Sequence, residues 1–132
     1  MGNFKTFEDL EVYKSAVDFR KEIYKICKEL PEEEKFNLIN QMRRAALSLT
    51  NNIAEGHGRY HYQENIQFLR QSRGSLEELI DDINLCLQEK YSEEAKLNTL
   101  KNVGFELLKK LNSYIKYLRL KKEEVPLSNL TI

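Results

Sequence analysis

The spacing of apolar residues between positions 62 and 121 constrains this chain most. Over residues 62–89, Ile66, Leu69, Leu76, Ile80, Ile83 and Leu87 fall on one line whose steps alternate three and four, and Arg73 takes the remaining place in it. Over residues 93–121 the same rhythm aligns Leu97, Leu100, Gly104, Leu107, Leu111, Tyr114 and Leu118. A heptad period puts one seam along one face of an α-helix and does not fit a strand, whose side chains alternate every second residue. A helix with one apolar seam must bury it against other helices, so the pattern predicts a helical bundle. Gly104, lying in its seam, predicts close approach of a neighbouring helix.

Two more helices are legible upstream. The first is expected from Thr6, a capping hydroxyl followed by Glu8 and Asp9, to about Leu30, where Pro31 disfavours helical geometry. Val12, Ala16, Phe19, Ile23, Ile26 and Leu30 form its core row. A second row of Tyr13, Val17, Tyr24 and Cys27 is wider than one seam needs and fits either a broad core or a subunit interface. Glu32, Glu33 and Glu34 read as a solvated acidic corner. The next helix is expected over residues 37–55, with Leu38, Met42, Ala45, Leu49 and Ile53 buried and with Gly56 and Gly58 ending it. Ser92 is the expected cap of the fourth helix. Four helices with short connections predict an all-α, antiparallel up-down-up-down bundle over residues 1–122. Residues 123–132 read as a tail, frayed or docked on a neighbouring subunit through Val125, Leu127 and Leu130.

Composition narrows the class. The 32% charged fraction, with only 5 Gly and 2 Pro, fits a helical protein and disfavours a disordered chain or a β-sandwich. No apolar run reaches the roughly 18 residues of a membrane span and no signal-peptide core opens the chain, so a cytoplasmic protein without membrane contact is expected. Cys27 and Cys86 are far apart with no Cys-x-x-Cys or Cys/His cluster, and read as small buried hydrophobes. The formal net charge is zero but uneven. Residues 1–34 carry six basic and nine acidic groups, and residues 75–132 carry nine and ten. Residues 35–74 carry six basic groups against Glu55 and Glu64, and five of the six are arginines. Arginine suits buried pairing and phosphate recognition better than lysine does.

That basic segment holds the candidate functional residues. Gln41, Arg44, Ser48, Asn51 and Glu55 recur three and four apart, so they share one helix face. Arg73 in a core seam needs a partner, for which Glu55 across a hairpin is the first choice and Glu78 the second. Asn52 can satisfy backbone groups at the helix end. One reading makes Asn52, Glu55, Arg73 and Glu78 a structural polar network. The other makes Arg43, Arg44, Arg59 and Arg70, with Arg73, a phosphate-binding surface that confers affinity without sequence choice. Tyr60, Tyr62 and Phe68 flank these arginines as core residues or as stacking platforms for bases. His57 and His61 lie four apart, but across Gly58 and without a third ligand, so no metal site or cofactor is expected. Glu77-Glu78 and Asp81-Asp82 read as a solvated face. No nucleophilic constellation points to catalysis.

Several segments together resemble the four-helix-bundle family encoded by intervening sequences of bacterial 23S ribosomal RNA genes. They are residues 9–16, Leu30-Pro31 with Glu34 and Leu38, and residues 41–46 with Ser48. Asn52-Ile53-Ala54-Glu55-Gly56-His57-Gly58-Arg59 carries the central signature, and Phe68-Leu69, Arg73-Gly74-Ser75 and Glu78-Leu79 extend the match. The resemblance covers about residues 7–120, with Asn37 standing where the family has Gly. It implies a ring-like homopentamer of antiparallel bundles with no enzymatic activity. It also implies kinship with accessory proteins of diversity-generating retroelements, which are similar bundles that bind RNA or DNA and a partner reverse transcriptase through basic surfaces.

Overall fold

The computed structural model describes residues 6–130, with side chains described through Glu123. Among the described residues the chain forms four α-helices and no strand. They are α1 (Glu11–Cys27), α2 (Leu38–His57), α3 (Tyr62–Gln88) and α4 (Glu94–Leu130), with 3-10 turns at Phe7–Asp9 and Glu32–Glu34. Each helix packs on the next and α4 packs back on α1, while among the described residues no Cα atoms of the diagonal pairs come within 8 Å. The α2–α3 interface is the most extensive of the four.

The entry into α1 differs from expectation. Thr6 caps the 3-10 turn, its hydroxyl accepting from the Glu8 amide while Asp9 reaches back to the Thr6 amide. Leu10 then turns extended (φ −69°, ψ 129°) and α1 starts one residue later. At the other end α1 stops at Cys27, ahead of Leu30, whose buried side chain joins the core. The corner that follows is not simply solvated. Glu34 accepts from the Tyr91 hydroxyl at 2.7 Å, the Asn37 amide at 3.2 Å and the Leu38 backbone N–H at 3.4 Å. A carboxylate so placed satisfies a free donor at the start of α2 and complements its dipole. The Tyr91 bond is the main cause holding Glu34 below the usual carboxylate range, and the same bond pushes Tyr91 up to about 12.

Helix α2 runs two residues beyond its expected end because Gly56 packs rather than terminates. A Cβ at Gly56 would stand 2.7 Å from Asn65 Oδ1 and 2.9 Å from Phe68 Cβ, so only glycine allows α2 and α3 this close. Gly104 works the same way on α4, where a Cβ would meet Ile80 Cγ1 at 3.0 Å and Phe19 at 3.3 Å, as its place in the seam predicts. Helix α3 ends in a Schellman arrangement. Tyr91 N–H donates to the Cys86 carbonyl and Lys90 N–H to that of Leu87, with Lys90 at φ 57°. The Ser92 hydroxyl donates to Glu29. Helix α4 runs to Leu130, past its expected end, and the side chains of Val125, Leu127 and Leu130 lie outside the described residues.

The expected rows are largely the core. Ala16, Phe19, Ile23, Met42, Leu49, Ile53, Leu69, Leu76, Ile83 and Leu111 are fully or almost fully buried. In α4 the seam passes through Ile115, with Tyr114 half-buried beside it. The second row of α1 is mostly used within the chain. Cys27 is buried, Tyr13 meets Phe7 edge-on at 4.9 Å, and Tyr24 lies under Arg43. Cys86 is buried as well, and burial pushes its thiol up to about 12, which keeps it unreactive.

Candidate nucleic-acid interface

The α2–α3 interface is lined by a polar row that the sequence reading found on one helix only. Gln41 Nε2 donates to Asp82 Oδ1 at 3.1 Å, Ser75 Oγ to Ser48 Oγ at 2.9 Å and Ser72 Oγ to the Leu49 carbonyl at 2.7 Å. Asn52 donates to Ser48 Oγ and to the Ser48 carbonyl one turn back, and so does not serve the helix end. On α3 the matching positions are Asn65, Phe68, Ser72, Ser75, Leu79, Asp82 and Cys86, again alternating three and four. Helix α3 therefore has two adjacent seams, one for α4 and one for α2. The signal for the second was in the sequence but is masked by its polar members.

The proposed Arg73–Glu55 pair does not form. Arg73 is half-buried on the α4 flank of α3, and its guanidinium donates to Asn112 Oδ1 at 2.9 Å. Ser72, one residue earlier, takes the fully buried place, since a 100° step decides which neighbour points inward. Glu55 is exposed and pairs with Arg59 at 2.7 Å. Glu78 is exposed too and raises Asp82 instead of pairing with Arg73. The four expected network members thus take part in four separate interactions.

Asp82 is a further correction. Expected on a solvated face, it is 5% exposed, and among the described residues its Oδ2 has no hydrogen-bond partner. Burial pushes its carboxyl up to about 6, with Glu78 and Asp81 adding repulsion. Arg20 also escaped notice: its guanidinium crosses from α1 to donate to buried Thr50 Oγ1 on α2 at 2.7 Å. No periodic signal marks a half-buried arginine that reaches across to a hydroxyl.

Arg43, Arg44, Arg59 and Arg70 are exposed but do not form one patch. Arg43 and Arg44 are consecutive, hence about 100° apart around α2. Arg43 lies over the Tyr24 ring of α1, its guanidinium 5.0 Å from the centroid. Arg44 lines a groove of about 480 Å³ between α2 and α3, with Asn40, Gln41, Ser48, Ser75 and Glu78. Arg59, at the α2–α3 turn, covers the Phe68 ring at 4.8 Å as well as pairing with Glu55. Arg70 is exposed on α3. Among the described residues neither Arg44 nor Arg70 has an ion-pair partner. No group of three or more metal-ligating side chains occurs among the described residues, and no helix there is long and apolar enough to cross a membrane.

Comparison with known proteins fits this architecture. The profile of the 23S rRNA-intervening sequence protein family matches residues 8–113. Among solved structures, a protein of unknown function from the S23 ribosomal protein family of Bacteroides thetaiotaomicron superposes with a TM-score of 0.74 at 24% identity, covering 80% of this chain and 98% of that one. That likeness is one of fold. No curated protein matches the chain.

Proposed function

Because the chain belongs to the 23S rRNA-intervening sequence protein family, we propose that it is a non-catalytic, oligomeric four-helix bundle that binds RNA or another nucleic acid through exposed arginines. The observation that carries this reading is the state of those side chains. Arg44 and Arg70 have no carboxylate partner among the described residues, and Arg43 lies on an aromatic face, so three guanidinium charges of a basic segment remain available to phosphate. An up-down-up-down arrangement is supported by the order of contacts. Gln41, Ser48 and Leu49 meet Asp82, Ser75 and Ser72, so one index falls as the other rises.

The test is fluorescence anisotropy of the purified protein with a structured RNA and a duplex DNA across a salt series. The expected result is an affinity whose logarithm falls linearly with the logarithm of salt, as counterion release requires. Flat anisotropy at low salt would sink the reading. A second reading, a homo-oligomeric scaffold that binds only protein, then takes its place. It is favoured by exposed Leu47, Val103, Phe105 and Leu120, which a lone bundle leaves in water.

A further inference from the structure

The charges of α4 are not mixed along its length. Between Glu106 and Glu123 it carries Lys109, Lys110, Lys116, Arg119, Lys121 and Lys122 and no acidic residue. Glu106 lies 3.4 Å from Lys109 and Glu11 lies 3.8 Å from Lys110. Lys116, Arg119 and Lys122 have no ion-pair partner among the described residues.

Two contacts fix how this stretch lies against α3. Arg73 donates to Asn112, and Lys122 donates to Gln63 Oε1 at 2.6 Å. The contacts are ten residues apart on each helix, so they bracket a strip roughly 15 Å long at 1.5 Å per residue. From the Arg73–Asn112 contact, a step of three back along α3 reaches Arg70 and a step of four forward along α4 reaches Lys116. Both steps stay on the same helix face, which sets Arg70 beside Lys116. Arg70, Arg73, Lys116, Arg119 and Lys122 therefore share the α3–α4 flank. Tyr62, 39% exposed, and Tyr60, 92% exposed, stand at the end of the strip held by Lys122.

The opposite end of the bundle is acidic. Residues 77–94 contain seven acidic groups and one basic group, and Tyr91 and Ser92 join them to Glu34 and Glu29 of the first corner. Whole-chain neutrality therefore conceals a polarised molecule that attracts a polyanion at one end and repels it from the other.

We propose that the α3–α4 strip, ending at Tyr60 and Tyr62, is a binding surface for single-stranded nucleic acid, with phosphates on the five cations and bases stacked on the two tyrosines. This rests on the nucleic-acid reading of the family member and assigns it a surface. Arg43 and Arg44 lie outside the strip. Exposed rings beside unpaired cations suit a strand whose bases are free to stack, which a duplex does not offer.

The experiment is anisotropy with a fluorescein-labelled oligouridylate across a salt series, using the full chain. Arg70→Gln/Lys116→Gln should weaken binding about tenfold at low salt. It should lower the log–log salt slope by about 1.4, the value for two contacts to a single strand. Tyr60→Ala should weaken binding without changing the slope, and a duplex of equal length should compete poorly. Equal thermal midpoints of the exposed-site variants and the parent check that each still folds. If the parent binds but only Arg43→Gln/Arg44→Gln weakens it, nucleic-acid binding stands and this surface is wrong. Equal competition by the duplex, with Tyr60→Ala silent, overturns the single-strand assignment. No binding by the parent at low salt overturns both this surface and the function it rests on.

Discussion

Asp82 shows what one residue's surroundings do to its chemistry. An ionised carboxylate accepting one hydrogen bond from Gln41, with its other oxygen buried and without a partner among the described residues, is poorly stabilised. Its carboxyl is raised from 3.8 to about 6, so between those values the folded chain holds a proton that the unfolded chain has released. Where the folded state binds more protons, stability falls as pH rises, so Asp82 weakens the fold progressively from about pH 4 to about pH 6 and fully above that. Glu29 and Glu34 are lowered by their hydrogen bonds to Lys96 and Tyr91 and act in the opposite sense, losing their contribution as pH falls. Comparing Asp82→Asn with the parent isolates the first effect. The variant should gain on the order of 1–2 kcal/mol in urea unfolding at pH 7 and little at pH 4. An equal difference at both pH values would show that the residue acts through packing rather than charge.

At the scale of helices, approach distance is set by small residues at a few points. Gly56→Ala places a methyl within 2.9 Å of Phe68 Cβ, an atom tied to the α3 backbone that cannot swing away. Overpacking of this kind costs about 1–3 kcal/mol, against a helix-propensity gain of about 1 kcal/mol. A net loss of up to about 2 kcal/mol is expected by chemical denaturation. Gly74 is the control: a Cβ there meets nothing within 4 Å, so Gly74→Ala should gain about 0.5–1 kcal/mol from propensity alone. If the two substitutions shift stability in the same direction, close approach at Gly56 is not what requires glycine. This distinction was only half legible. Gly104 declares itself by sitting in an apolar seam, whereas Gly56 beside Gly58 looks like a helix stop, and α2 in fact continues through it.

At the scale of the whole molecule, association of copies decides how much apolar surface stays in water. Exposed Leu47, Leu85, Val103 and Phe105 leave apolar surface that association would cover. Multi-angle light scattering of the full chain should give a mass near five times 15.6 kDa if the homopentamer that the family resemblance implies forms. A mass near 15.6 kDa at micromolar concentration would remove the oligomer from the proposed function. Charge at this scale was hidden from a linear reading. Counting residues 75–132 together gives a nearly neutral segment because it adds the acidic second half of α3 and the turn after it to the basic second half of α4, and these lie toward opposite ends of the bundle.

The sequence by itself determined the four helices, nearly all of the core and the family, because heptad spacing and the Asn52–Arg59 signature are local patterns that burial must respect. The second seam of α3 and the acid-free run of α4 are also written in the sequence. Only the tertiary structure decided the polar partners. A 100° step per residue makes Ser72 rather than Arg73 the buried neighbour. Spacing within one helix cannot say which side chain of another stands opposite, so Arg73 with Asn112, Gln41 with Asp82 and Arg20 with Thr50 emerge only once the helices are packed.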